Sequence, residues 1–323
     1  MGNLKLYIVS IVLIVSLFMT SGCGKISRKN SNSANNTISN NTISNNSINT
    51  NDSKVDVQIT SPWRTIYQND IKRDFLKSGF FNERFGIATG FSGENFFTYD
   101  AGHNWISYKN ESNNSNAFDI CDEDTIWYGD DFGDIGLSVD GGKTWRNNKG
   151  VFMERVFYLS AIDKNTALFG NLSKIEFTKD GGKHLEDIKL PSGIDGIAAI
   201  FLKNPNEAYI LDFKGSLYYS KDSFLSWEKT ILKSASEEAK IRFDIGSSSS
   251  TASISAFGDK DIVVAYCQES NGIAVMRSKD EGDSWSKETV SGEYANNIYI
   301  SKNAQFVTYN SSLSTINVMK YSK

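Results

Sequence analysis

The sequence predicts an all-β chain folded as a β-propeller, and two observations predict it. One turn segment recurs five times at a spacing near forty residues. Between successive copies lie short apolar stretches broken by polar turns. The copies read TYDAGHNW from Thr98, SVDGGKTW from Ser138, TKDGGKHL from Thr178, SKDSFLSW from Ser220 and SKDEGDSW from Ser278. Their aspartates are Asp100, Asp140, Asp180, Asp222 and Asp280, spaced 40, 40, 42 and 58 residues apart. A fixed period of about 40 with a few strands per period marks a propeller blade or a solenoid coil.

The segment is turn chemistry. An Asp carboxylate accepts hydrogen bonds from backbone N–H groups just ahead of it, and glycine accepts positive φ without a Cβ clash. The flanks are strand-like, as in Phe96-Phe97-Thr98 and Leu217-Tyr218-Tyr219. Each copy therefore reads as a hairpin tied by its Asp and its Ser or Thr. The aromatic that follows, Trp105, Trp145, Trp227 or Trp285, is placed to wedge against a neighbouring repeat with its N–H bonded. Leu185 stands in the Trp place of the third copy, and Ser223-Phe224 replace the glycines of the fourth, which puts that turn's geometry in question.

Each unit supplies two further apolar stretches around a polar turn. They fall at 79–81 and 85–89, 117–121 and 125–128, 158–162 and 166–169, 197–202 and 207–211, 252–257 and 261–266, and 297–300 and 304–309. Four strands per unit make a blade. The sixth unit ends at 316–321 without a turn segment and supplies three strands. The stretch 58–66, with Trp63 in the Trp place, is expected to pair with the last strand and close the ring. That gives six four-stranded blades, with seven as the alternative. Closure matters because an open stack leaves sheet edges unpaired.

These segments resemble the Asp-box, or BNR, repeat of sialidase-type and Ycf48-type proteins, over residues 55–323. The resemblance implies a propeller; the box is a structural turn and does not carry the chemistry. Sialidases of this architecture hold a substrate carboxylate with three arginines and carry Arg-Ile-Pro early in the chain. None of the eight arginines here precedes Ile-Pro, and prolines occur only at 62, 191 and 205. WD40/YVTN-like repeats share the blade architecture.

Residues 1–22 read as an export signal. Lys5 is the positive start, Leu6 to Met19 is almost wholly apolar, and Thr20-Ser21-Gly22 leads into Cys23. The junction resembles a bacterial lipobox, which implies lipid on the Cys23 thiol and a place on the extracytoplasmic side of the cell membrane. Residues 23–54 are rich in Asn, Ser and Thr, too polar to offset the entropy of ordering, and read as a tether of about 30 Å reach. Residues 55–323, about 265 in all, are enough for one large all-β domain.

A slightly acidic balance, with 34 Lys+Arg against 38 Asp+Glu and no basic cluster with interleaved aromatics, argues against nucleic acid. Cys121 and Cys267 lie at different places in different repeats and are expected as free buried thiols. No His sits at ligand spacing, so no metal is expected; His103 and His184 fall inside the turns. No cofactor is implied, and a monomer is expected. Function is expected at the ring's mouth, opposite the turns, with loops at 90–95, 129–135, 211–216 and 267–272 and an insertion at 233–251. The sharpest cluster there is Asp130, Asp131 and Asp134, with Asp212 from another blade. These read as solvated turn residues. Alternatively Asp131 and Asp212 form the acid/base pair of a glycan hydrolase, or hold a cation. The leading expectation is a non-catalytic binding or assembly module for a protein or cell-wall ligand, with the hydrolase as the alternative.

Overall fold

The computed structural model describes residues 62–70, 74–110, 114–232, 251–268, 272–291 and 294–322, all within the unit Gln58–Lys323. The expected export signal, Cys23, the tether and residues 233–250 lie outside the described residues. Six antiparallel sheets of four strands form a six-bladed propeller. Blade 1 comprises Phe75–Phe80, Gly86–Gly90, Glu94–Thr98 and Ile106–Lys109. Blade 2 comprises Ser115–Ile120, Thr125–Asp130, Ile135–Val139 and Arg146–Asn148. Blade 3 comprises Tyr158–Ala161, Ala167–Gly170, Ile175–Thr178 and Glu186–Asp187. Blade 4 comprises Ala199–Asn204, Glu207–Leu211, Ser216–Ser220 and Glu228–Ile231. Blade 5 comprises Ala252–Phe257, Asp261–Gln268, Gly272–Ser278 and Ser286–Ser291. Blade 6 takes Asn297–Ile300, Phe306–Asn310 and Thr315–Tyr321 from the C-terminal end and Trp63–Asp70 from the N-terminal end.

The first strands form the inner ring, each touching that of the next blade, and the sixth touches the first. The closing strand runs antiparallel to the last, from Trp63↔Tyr321 to Asp70↔Thr315. It takes in Trp63–Ile66 of the expected stretch 58–66 and runs on to Asp70. Pro62, which has no N–H to donate, stands just before it and offers its carbonyl to Ser322 N at 2.6 Å. Alternation of side chains fills the spaces between blades. Phe96 packs toward blade 6 and its neighbour Phe97 toward blade 2. The core accordingly divides into six apolar layers, one at each blade interface.

All five recurrent turns join the third and fourth strands and share one hydrogen-bond pattern. In the second, Ser138 Oγ donates to Asp140 Oδ1 at 2.8 Å and accepts Gly142 N at 2.8 Å. Asp140 Oδ1 also accepts Thr144 N at 2.9 Å, while Oδ2 accepts the Thr144 hydroxyl at 2.6 Å. A further bond, Gly141 N to Asp124 O at 3.0 Å, ties the turn to the loop between strands one and two. The same tie recurs from Ala101, Gly181, Ser223 and Glu281. The fourth turn keeps the pattern, with Phe224 N donating to Ser220 Oγ at 3.0 Å and Ser226 N to Asp222 Oδ1 at 3.0 Å. Its geometry is thus intact, although Ser223 and Phe224 adopt φ of 60° and 68°. Left-handed backbone costs such residues about 1–2 kcal/mol each. Burial of the Phe224 ring, 5.1 Å from Phe177 in an edge-on contact, offsets that. In the third turn His184 Nδ1 takes the hydroxyl's place against Asp180 Oδ2 at 2.6 Å.

All four tryptophans that follow the turns pack against an apolar layer between blades with the N–H bonded, but to two kinds of partner. Trp105 donates to Tyr67 OH of the closing strand at 3.2 Å, and Trp227 to Lys189 O of blade 3 at 3.0 Å. Trp145 and Trp285 instead bond the carbonyls of Gly142 and Gly282 in their own turns, each at 2.9 Å. Cys267 is buried as expected, but Cys121, which follows the first strand of blade 2, is only half-buried.

The turns should respond both to substitution and to acid. A Cβ at Gly142 would lie 2.3 Å from the Phe97 ring of blade 1, on a backbone at φ +85°. Gly142→Ala is expected to lower the unfolding free energy by about 2–4 kcal/mol in denaturant titration. In acid the carboxylates decide. The Ser226 hydroxyl and backbone N–H hold the Asp222 carboxyl down at about 2, and those of Ser284 do the same for Asp280. Asp100 is lowered by backbone and side-chain bonds from Asn104, and Asp180 by the His184 ring. Folded-state values below the unfolded value of about 3.9 give stability that is present above pH ~4 and lost as pH falls toward 2. Unfolding free energy is expected to be level between about pH 5 and 7 and to drop between about 4 and 2, with a shallower drop in Asp280→Asn.

Candidate functional site

Connections between the second and third strands, and the links from each blade to the next, open on one face, the mouth. The Asp turns lie on the opposite face. At the mouth, Asp130 Oδ1 accepts Phe132 N and Asp134 N, both at 2.9 Å. Asp212 Oδ1 accepts Lys214 N at 2.9 Å and Ser216 N at 2.7 Å, in the same position of blade 4. Asn171 Oδ1 does the same in blade 3, accepting Ser173 N and Lys174 N. These three residues are equivalent loop formers, each the first residue of its loop (an Asx-type turn).

Asp131 is held from three sides. Its Oδ2 accepts Asn114 Nδ2 at 2.6 Å, its Oδ1 accepts Asn116 Nδ2, and Arg155 Nε lies 2.8 Å from Oδ1. Asp134 accepts Gly150 N at 2.7 Å and faces Lys149 Nζ at 3.1 Å. Asp131 and Asp212 stand on blades 2 and 4, which are not neighbours in the ring, and no hydrogen bond joins them. Among the described residues no cluster of His, Cys, Asp and Glu has the arrangement of a metal site.

Beside exposed charged residues such as Lys149 and Arg155, the mouth exposes large apolar side chains. Phe132 is 63% exposed and Met153 82%, with Phe91 and Leu313 also exposed. All four lie on mouth loops of blades 6, 1 and 2, and hydrogen bonds link those loops into an arc. Phe75 N donates to Leu313 O at 2.9 Å, Phe91 bridges Asn114, Asn114 holds Asp131, and Phe152 N donates to Gly133 O at 3.2 Å. Met153 adopts φ 62°, a backbone that is costly for an unbranched residue with a side chain.

Inside the ring the first strands enclose an axial cavity of about 60 Å³. At its floor, the side toward the Asp-turn face, a polar cluster reaches across the ring. Lys302 of blade 6 pairs with Asp119 of blade 2 at 3.3 Å and donates to Ala161 O of blade 3, on the far side of the ring. Asp119 also accepts Ala161 N at 2.7 Å and Tyr299 OH at 3.3 Å. Gly79 of blade 1 leaves room for Tyr299 and Phe118, from the blades on either side, to stack at 5.4 Å. A Cβ there would lie 2.6 Å from the Tyr299 ring.

Lys77 reaches the same cavity from nearer the mouth. It is 8% exposed and donates to Phe157 O at 3.1 Å, and no carboxylate among the described residues pairs with it. Burial lowers its amine from the usual lysine value to about 7. Neither Lys77 nor the apolar loop residues stood among the site residues expected from sequence. The signals were a lysine inside the buried run Phe75-Leu76-Lys77-Ser78-Gly79-Phe80, and a Phe between Asp131 and Gly133 in a polar loop.

The fold and this mouth define the chain's class as a six-bladed β-propeller. No protein-family model matches the chain, and no curated protein does. Among solved structures, Ycf48 bound to a D1 peptide is similar at TM-score 0.50 and 14% identity, over 82% of this chain and 98% of that one. A catalytically inactive virginiamycin B lyase from Staphylococcus aureus with quinupristin is similar at TM-score 0.52 and 12% identity, over 76% of this chain and 80% of that one. The RRP9 WD40 repeats are similar at TM-score 0.50 and 10% identity, over 73% and 76%. Identities this low show the fold alone.

Burial of the Lys77 amine makes stability depend on pH. The other charged or titratable groups lining the cavity are Asp119, Lys302, Tyr158 and Tyr299. Between pH ~7 and ~10.4 the unfolded chain holds a proton that the folded one has released, so stability rises with pH across that window. Lys77→Met removes the buried amine. It is expected to raise the unfolding free energy at pH 7 by about 2–4 kcal/mol, a gain that shrinks toward pH 10.

Proposed function

We propose that this chain is a non-catalytic binding module, held on the extracytoplasmic face of a bacterial membrane by lipid on Cys23, that engages a protein segment at the propeller mouth. The observation that carries the reading is the arc of exposed apolar side chains, Leu313, Phe91, Phe132 and Met153, on loops fixed by hydrogen bonds. A rigid apolar surface with a polar surround is what a protein ligand is recognised by. The mouth carboxylates that a hydrolase would use are engaged in building those loops. Among the similar folds, Ycf48 carries a bound D1 peptide. Another is an enzyme complexed with quinupristin, so fold by itself leaves the activity open.

The finer kinship rests on the turns. Hydroxyl, Asp and a hydroxyl, amide or, once, imidazole recur with one bond pattern in five places, which supports an Asp-box repeat of the BNR type. The lipid anchor rests on the apolar run ending in Thr20-Ser21-Gly22-Cys23.

The test is chemical crosslinking of the full-length lipidated protein in native membranes, with mass spectrometry of what is captured. One dominant protein partner, crosslinked through the mouth loops, is expected. Phe132→Ser with Met153→Ser should cut that capture by about tenfold or more, since each buried side chain of this size contributes about 1.5–3 kcal/mol. Cys23→Ser should move the protein out of the membrane fraction. Capture that is unchanged by the mouth variants would remove the assignment.

A further inference from the structure

We propose that the axial cavity is a carboxylate site, in which Lys77 receives one carboxylate group of the ligand entering from the mouth. Such a site rests on the binding reading above and supplies the chemistry recognised at its centre.

Three features of the cavity carry it. The first is an incompletely used cation. The Lys77 ammonium has three N–H donors, of which Phe157 O takes one, and the remaining two meet no acceptor among the described residues. A buried ammonium with neither carboxylate nor full hydrogen bonding is costly to keep, and an arriving anion satisfies it.

The second is the balance of charge. Lys302 and Asp119 neutralise each other at the floor, so a protonated Lys77 leaves the lining with one net positive charge. A single carboxylate matches that charge; a dianionic phosphate would leave one negative charge buried. The third is the lining itself. Ser160 and Ser253 each accept a backbone N–H from the next blade, Leu202 N at 2.9 Å and Ile300 N at 3.1 Å. Their hydroxyl protons have no acceptor among the described residues, which adds two neutral donors to the same cavity. A volume of about 60 Å³ has room for a few waters or one small carboxylate. Lys302 and Asp119 occupy the floor side, and Lys77 lies nearer the mouth.

Carboxylate binding has a signature that packing alone lacks. The Lys77 amine sits near pH 7, so pairing with an anion draws a proton from solvent. Affinity for a carboxylate should then fall by about tenfold per pH unit above pH ~7. The probes are acetate, N-acetylglycine as a chain-terminal carboxylate, N-acetylglutamate amide as a side-chain carboxylate, and N-acetylglycinamide as the neutral control. Each is titrated into the full-length protein by calorimetry, in two buffers of different ionisation heat, at pH 6.5 and 8.5.

The expected result is binding of acetate and at least one of the two carboxylate mimics with proton uptake, none of the amide, and binding weaker by about a factor of ten or more at pH 8.5. Which mimic binds tells a chain terminus from an acidic side chain. Lys77→Met should abolish binding while the protein stays folded, because removing the buried amine stabilises it. Lys77→Arg, charged at both pH values, should bind without the pH dependence. Equal response to acetate and the amide, or carboxylate binding that survives Lys77→Met, overturns the proposal. Partner capture in membranes separates the two readings. If Lys77→Met leaves crosslinked capture at full strength while the mouth variants lose it, the carboxylate site is wrong and the binding module stands.

Discussion

Closure of the ring by Trp63–Asp70 is the constraint on which the other features depend. A stack of blades has two ends, and each end exposes both an apolar face and an unpaired strand edge. Joining the two ends of the chain within one sheet removes both liabilities together. Blade 6 has no outer strand of its own from the C-terminal side, so the sheet is complete only when the N-terminal strand pairs with Thr315–Tyr321. Trp63 then seals the seam. Its ring lies 5.1 Å from that of Tyr321, and its N–H donates to Glu288 of blade 5 at 2.8 Å. Tyr67 of the same strand accepts from Trp105 of blade 1 at 3.2 Å, so the closing strand touches the blades on both sides.

With the ring closed, six first strands are held close around one axis, and their side chains decide what the axis contains. At the floor the answer is a polar plug. Asp119, Lys302 and Tyr299 satisfy one another and bind blades 2, 3 and 6 together across the ring. Nearer the mouth the answer is a buried lysine with spare donors. A stable core has no use for such a group, since an apolar residue of similar volume would serve the fold better. Lys77 lies in a cavity beneath a mouth that exposes Phe132 and Met153, and the proposed carboxylate site rests on that placement.

The two faces of the ring divide labour through the same chemistry. On the Asp-turn face, Asp and hydroxyl residues tie the turns that set blade spacing, and their carboxylates are spent there. On the mouth face, Asp130, Asn171 and Asp212 build the loops in an equivalent way. A carboxylate at a strand end in this architecture is therefore first a loop former. Asp131 and Asp212, the pair of the alternative hydrolase reading, each have their own local partners on separate blades.

Blade count, four strands per blade and the closing role of the N-terminal stretch could all be read from the order of residues. They are legible because they rest on local signals, turn residues and apolar alternation, repeated at a fixed period. Trp63–Ile66 of the stretch assigned to closure lie in the closing strand, which runs on to Asp70. The remainder needed the assembled ring. Nothing near Phe224 in the chain shows that its strained backbone is repaid by contact with Phe177 of another blade. Lys77, Asp119 and Lys302 are separated by 42 and 183 residues, and only the closed ring brings them to one cavity. The function of a propeller is assembled from single residues of separate repeats, whereas its fold is written afresh in each one.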